Sequence, residues 1–209
     1  MKFFDFHHHE AARNFGIYNL KFNEKPPARF FSAGIHPASI SNDLEARLAW
    51  LNEVSNLKNC VAIGECGLDG MISIDEKLQE EVFVRQIHLA NNCRKPLIIH
   101  CVKRFSHLAH FRKMAKVQMI VHGFNKRKTI GDDLLKNEFC LSFGKSVLYN
   151  VNLQDFLTHF PLERMFLETD SSDFEIEELY KKAAELKNIS LEELILQIKE
   201  NLKNLQIPI

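Results

Sequence analysis

The sequence is poor in the residues that punctuate a chain. Eight glycines and six prolines in 209 residues come to about 7%, against an average near 12%. That shortage excludes collagen-like repeats and long flexible linkers, and it predicts short loops. A surplus of one charge is also missing: 27 Lys and Arg balance 27 Asp and Glu. No global basic field gathers nucleic acid, so a phosphate partner must be held by a local site. No apolar run approaches the ~18 residues of a membrane span, and no membrane partner is expected. At the N-terminus Asp5 and the histidines at 7–9 cut the apolar run far short of a signal-peptide core. Those three histidines follow a strand-like FFDF run and are read as native rather than as a tag. Paired cysteines are absent too. Cys60, Cys66, Cys93, Cys101 and Cys140 form no CxxC, and an odd, dispersed set reads as reduced thiols in a cytoplasmic protein.

What is present is apolar and alternating. Hydrophobic residues make up 45% of the chain, and 17 are Phe, which has no polar handle and is expected in the core. One domain covering 1–209 is expected. Strand candidates lie at 2–7, 16–20, 29–35, 60–66, 96–101, 119–122, 139–143 and 165–169. Helical patterns fall between most of them. Asn42 with Glu45 suggests a cap for a helix carrying Leu44, Leu48, Leu51, Val54 and Leu57, and Asp75 a cap for the next. Further helices are read at 103–116, 129–137, 151–159 and 175–187. Ser190 with Glu193 caps the last. Eight strands alternating with helices predict an α/β fold, a (β/α)8 TIM barrel. The first crossover must be reduced, because 9–29 has no room for a full helix plus a strand. A flavodoxin-like open sheet is the alternative.

Metal-type residues recur at the C-terminal ends of these strands. His7 and His9 close the first, His36 follows the third, Glu65 lies near the end of the fourth, His100 and His122 end the fifth and sixth, and Asp170 ends the eighth. A single histidine there would read as a satisfied core residue. Six such ends in one chain read as a site, since parallel barrels converge their strand ends on one face. The i, i+2 spacing puts His7 and His9 on one side of a strand and His8 on the other. Cys66 and Cys101 flank ligand positions and by alternation face away as small core fillers. Glu168 shares the face of Asp170 and reads as a charge partner inside the barrel.

Several segments resemble TatD-type metal-dependent hydrolases of the amidohydrolase superfamily: DFHHHE at the start, AGIHP (33–37), AIGECGLD (62–69), QIHLANNCRKPLIIHC (86–101), VHGF (121–124) and LETD (167–170). The terminal helix with Asn201 and Leu202 is similar as well. The resemblance implies a (β/α)8 barrel holding two divalent metal ions (Mg, Zn or Mn). It implies His7, His9 and Asp170 as ligands of one, His100 and His122 as ligands of the other, and Glu65 as the carboxylate bridging both. Asp170 would also act on the attacking water, with Glu65 beside it in the catalytic pair.

The implied activity is phosphodiester cleavage by a metal-activated water, of deoxyribonuclease type, with DNA or a small phosphoester as substrate. A small phosphoester or amide hydrolase on the same centre, and an inactive metal-binding scaffold, are the alternatives. His36 is read either as a phosphate contact or as support for a ligand. Lys103 and Arg104, and the 126–128 cluster, are candidate substrate contacts. The chain departs from the family pattern in three places: between the first and third strands, after LETD, and at Asn125-Lys126. No obligate protein partner is inferred.

Overall fold

The computed structural model describes residues 2–209. Among them eight strands alternate with helices: β1 (Asp5–His8), β2 (Gly16–Leu20), β3 (Phe31–Ala33), α1 (Leu44–Val54), β4 (Cys60–Asp69), α2 (Glu76–Cys93), β5 (Leu97–Val102), α3 (Phe105–Arg112), β6 (Met119–Val121), α4 (Lys128–Lys136), β7 (Cys140–Phe143), α5 (Val151–His159), β8 (Met165–Leu167), α6 (Ile176–Lys187) and α7 (Leu191–Asn204). Every expected strand and helix is present. Turns, and no helix, connect β1, β2 and β3, as the shortage of residues there predicts. The chain divides into two compact units, residues 17–121 and residues 1–16 with 122–209.

In the 17–121 unit the strands run β2-β3-β4-β5-β6, all parallel. β4 is buried along all ten residues, which is why its first four, Cys60–Ile63, read as a continuous apolar run rather than an alternating one. Gly67 sits at φ +138°, and a Cβ there would collide with the carbonyl oxygen of His100. The close approach of β4 to β5 therefore requires glycine. Tyr18, Phe31, Ile35, Leu51, Val54 and Val82 pack into one core cluster. Asp75 caps α2 as expected, accepting from Leu78 N at 3.0 Å. The expected Asn42–Glu45 cap does not form. Asp43 is the N-cap residue, and Glu45 instead pairs with Arg85 at 2.6 Å, a charged partner that outcompetes a backbone amide.

In the other unit β7 pairs with β8 in parallel, and β1 is tied to the residues after β8 by a parallel bridge between His8 and Asp170. Phe124, Phe143, Phe156 and Phe160 form a ring cluster with centroids 5.3–6.2 Å apart, the core role expected of this Phe-rich chain. Ser190 and Glu193 form the reciprocal cap of α7. Asn201 on that helix is buried, and its amide donates to Leu162 O at 2.7 Å and Met165 O at 3.0 Å. The last helix is thereby clamped to the start of β8.

Candidate metal centre

Backbone hydrogen bonds assemble the first cluster, in the unit that holds both ends of the chain. Asp170 N donates to His7 O at 2.9 Å, and His9 N donates to Asp170 O at 3.2 Å. The i, i+2 histidines and the acid after β8 are thus locked in register. Asp170 adopts φ +52°, a left-handed conformation that Asp tolerates better than most residues and that is common at functional sites. Beneath it Asp5 is fully buried and accepts from Thr169 N at 2.9 Å and Thr169 Oγ1 at 2.6 Å. Burial raises the Asp5 carboxyl to about 6, although the Thr169 hydrogen bonds and Arg13 pull it down.

His7, His9 and Asp170 each offer a ligand atom within 4.8 Å of the others, and His122, Glu168 and Asp170 form a second such group. His9 Nε2 lies 3.3 Å from Asp170 Oδ1. Glu168 is fully buried. Its Oε1 accepts from Gly123 N at 2.6 Å and faces His122 Nδ1 at 3.3 Å, the charge-partner role expected of it. Its Oε2 has no hydrogen-bond partner among the described residues. A buried carboxylate oxygen of that kind is costly unless a cation satisfies it. Imidazole and carboxylate donors together suit divalent metals of the Zn, Mn or Mg type. The residues therefore fit a metal.

The 17–121 unit builds its own group, in which His36, Glu65 and His100 offer ligand atoms within 4.8 Å of one another. His36 Nδ1 accepts from Ala38 N at 3.0 Å, capping a short 3-10 turn, and its Nε2 lies 3.9 Å from Glu65 Oε2. The rings of His36 and His100 are 4.2 Å apart. Two residues that the sequence did not single out complete this group. Asn19 donates to Glu65 Oε1 at 2.8 Å. Asp69 Oδ2 lies 3.0 Å from His100 Nε2. Both left a signal: Asn19 is a polar residue in an apolar strand, and Asp69 is spaced at i+4 from Glu65 on a period-2 strand.

Two glutamines of α2 hold the backbone around this group. Gln86 accepts from Ile35 N at 2.7 Å and donates to Ile35 O at 3.1 Å, one residue before His36. Gln79 accepts from Asp69 N at 2.8 Å and donates to Asp69 O at 3.2 Å. Of the expected rim, Lys103 is exposed at φ +55°. Arg104 is turned onto Glu76 and Glu80, and its charge is further stabilised there. Lys128 pairs with Asp132 at 2.9 Å. Cys60, Cys66, Cys101 and Cys140 are buried, and Cys93 is half-buried. Burial pushes Cys60 up to about 11 and Cys66 higher still.

Comparison with known proteins agrees with this chemistry. A family described as TatD related DNase matches residues 18–206, so His7 and His9 lie upstream of the matched span. An uncharacterized metal-dependent hydrolase of Bacillus subtilis, YabD, is 29% identical over 84% of this chain and 76% of its own length. One from Escherichia coli K12, YcfH, is 30% identical over 68% of this chain and 55% of its own. A protein of Rahnella described as a 3'-5' ssDNA/RNA exonuclease TatD is 30% identical over 71% of this chain and 59% of its own. This chain thus spans little more than half of the last two. The crystal structure of YJJV, a TatD homologue from Escherichia coli, superposes with a TM-score of 0.83 at 20% identity, covering 99% of this chain and 98% of that one. That likeness shows the fold: the parallel strands and interleaved helices are those of a (β/α)8 TIM barrel, and the open-sheet alternative is set aside.

Proposed function

Because the chain belongs to the TatD family of metal-dependent hydrolases, we propose that it hydrolyses phosphodiester bonds of single-stranded nucleic acid. The observation that carries this reading is that every ligand position implied by the family resemblance is filled by a histidine or an acid, each within one of the three groups described above. His7, His9 and Asp170 are assigned to one divalent cation, His100 and His122 to a second, and Glu65 to both. Such cations, when bound, polarise a phosphoryl oxygen and lower the pKa of water.

The chain's own groups do the rest. Asp170 accepts the proton of the attacking water. Glu168 fixes the ring of His122 through Nδ1, and Asp69 does the same for His100 through Nε2. Asn19 fixes one Glu65 oxygen. Such partners set tautomer, orientation and basicity. His36, beside Glu65, is assigned to support of that carboxylate or contact with the substrate phosphate. Lys103 supplies positive charge near His100, and Arg104 joins it only by leaving Glu76 and Glu80. The odd, dispersed set of cysteines suits a reducing compartment, and we place the protein in the cytoplasm. A small phosphoester is the second reading, favoured by the engagement of Arg104 with α2 acids and by the zero net charge.

The test is hydrolysis of end-labelled single-stranded DNA and RNA, a small phosphodiester and an amide by chelator-stripped protein reconstituted with Mg, Mn or Zn. Metal-dependent cleavage of the oligonucleotides, lost in His100→Ala, is expected. Turnover of the small phosphodiester or amide alone would move the assignment to a small-molecule hydrolase. Metal binding without turnover of any substrate would leave the scaffold reading.

A further inference from the structure

Asp170 lines two cavities, and their walls differ in chemistry. One, of about 370 Å³, is bounded by His9, Glu10, Arg13 and Asp173, and its guanidinium is already engaged by Asp5 and Glu10. It is walled by charge, and none of its lining residues is Phe, Tyr or Trp. The other, of about 170 Å³, is bounded by Asn125, Lys145, Ser146, Tyr149, Glu168 and Asp170. At ~30 Å³ per water that is room for about five or six waters, the scale of a single heterocycle.

Tyr149 is the unusual member. Among the described residues it is the one exposed aromatic, with 68% of its surface open, while Tyr18 and Tyr180 are buried. An exposed ring is ordinarily a loss unless something covers it. This one is also held in place. Tyr149 N donates to Ser146 O at 3.3 Å, and Asn150 N donates to the same oxygen at 2.9 Å. The Asn150 side chain then caps α5. Ser146 Oγ lies 3.5 Å from the phenol oxygen. The backbone that carries the ring is thus fixed before binding, which lowers the entropy lost when a ligand stacks on it.

We infer that this pocket is a nucleobase subsite: Tyr149 stacks the base of a nucleotide next to the scissile phosphate, and Asn125 and Lys145 offer hydrogen bonds to its edge or sugar-phosphate. Aromatic stacking of unpaired bases tolerates any sequence, because every base has a π-face. The subsite thus selects single-stranded nucleic acid over small phosphoesters without reading sequence. Asn125 and Lys145 flank the loops after β6 and β7, and Asn125 is where the chain departs from the TatD pattern. The inference rests on the nuclease reading above and sharpens it.

The test uses the metal-loaded full chain and single-stranded oligonucleotides in which one abasic nucleotide replaces each position in turn. In the wild-type protein one position next to the cleaved bond should raise KM about 5- to 150-fold when its base is removed, the range expected for one stacked base. In Tyr149→Ala that positional penalty should disappear, because KM on the intact oligonucleotide has already risen to the abasic level. Tyr149→Phe, which keeps the ring, should restore the preference, and kcat should change far less than KM. Tyr149→Leu serves as a second variant if the alanine protein folds poorly by circular dichroism. A positional penalty that survives in Tyr149→Ala or Tyr149→Leu overturns the subsite and leaves the nuclease reading standing. No oligonucleotide cleavage by wild-type protein with any metal overturns the nuclease reading, and the subsite with it.

Discussion

The two units hold their clusters of histidines and acids by different means. In the unit containing both chain ends, main-chain hydrogen bonds between β1 and the residues after β8 set the positions of His7, His9 and Asp170. In the 17–121 unit, side chains do that work: Gln86 grips Ile35, Gln79 grips Asp69, and Asn19 grips Glu65. The buried acids differ as well. Glu168 is fully buried and leaves Oε2 unsatisfied among the described residues. The side chain of Asp69 stays 11% exposed, and its second oxygen accepts from Met71 N at 2.8 Å. The first unit thus carries an electrostatic debt that a cation would relieve, and the second is nearly satisfied without one. Main-chain register is robust to substitution, whereas a side-chain clasp is removable by a single mutation.

The largest effect should come from the ligands themselves. Asp170→Ala and His100→Ala are each expected to cut metal-dependent hydrolysis by roughly a thousandfold or more, the several kcal/mol that metal ions contribute to transition-state stabilisation. Thermal unfolding should change little, since barrel stability lies away from the C-terminal face. A steady-state assay beside a melting curve checks both, and an active Asp170→Ala protein would break the assignment. Chelation should reproduce the loss reversibly.

Next come the acids behind the histidines. Glu168→Gln and Asp69→Asn should weaken metal binding by about 10- to 100-fold, read by titration calorimetry. The loss should be larger for Glu168→Gln, because its carboxylate is the more buried and also holds Gly123 N. Equal losses would erase the contrast between the two units.

The glutamine clasps sharpen it further. Gln86→Leu strands Ile35 N and Ile35 O in a buried place, at roughly 1–3 kcal/mol for each unsatisfied group. For a chain of this size, about 2–4 °C of melting temperature is lost per kcal/mol. No such side-chain substitution can unpin Asp170 N from His7 O.

The smallest effects are at the surface. Arg85→Ala removes an exposed pair with Glu45, worth about 0.2–1 kcal/mol. The thiols should be quiet for a related reason. Cys60 is buried with its pKa up to about 11, and Cys66 is buried and raised further. Both should resist alkylation of the native protein at pH 8, while half-buried Cys93 reacts first; mass spectrometry of labelled peptides checks this. The sign for stability follows from the direction: a raised thiol pKa favours the neutral form in the folded state. This contribution is full below about pH 9 and declines as pH rises toward 11.

Much of the fold was legible because its signals are local. Strand β2 was read to the residue from GIYNL, and Ser190 and Glu193 announced their cap by spacing alone. The strand-end histidines and acids stood out because a polar residue closing an apolar run is conspicuous. The Asn42–Glu45 cap failed because a residue 40 positions away, Arg85, competes for the same carboxylate. Arg104 stood out as a rim cation, but Glu76 and Glu80 one helix earlier engage it. Asp69 and Asn19 were missed because their importance lies in partners on other strands, His100 and Glu65.

By itself the sequence determined the alternation of strands and helices, the family, and the residue types available to bind a metal, since each depends on periodicity, spacing or short motifs. Only the tertiary structure decided which carboxylate holds which imidazole, that Glu168 is buried with an unsatisfied oxygen, that α2 glutamines support the loop before His36, and that Tyr149 stands exposed over a cavity beside Asp170. Those facts depend on distances between residues far apart in the chain, and the pattern along one strand carries no measure of what the next strand places opposite it.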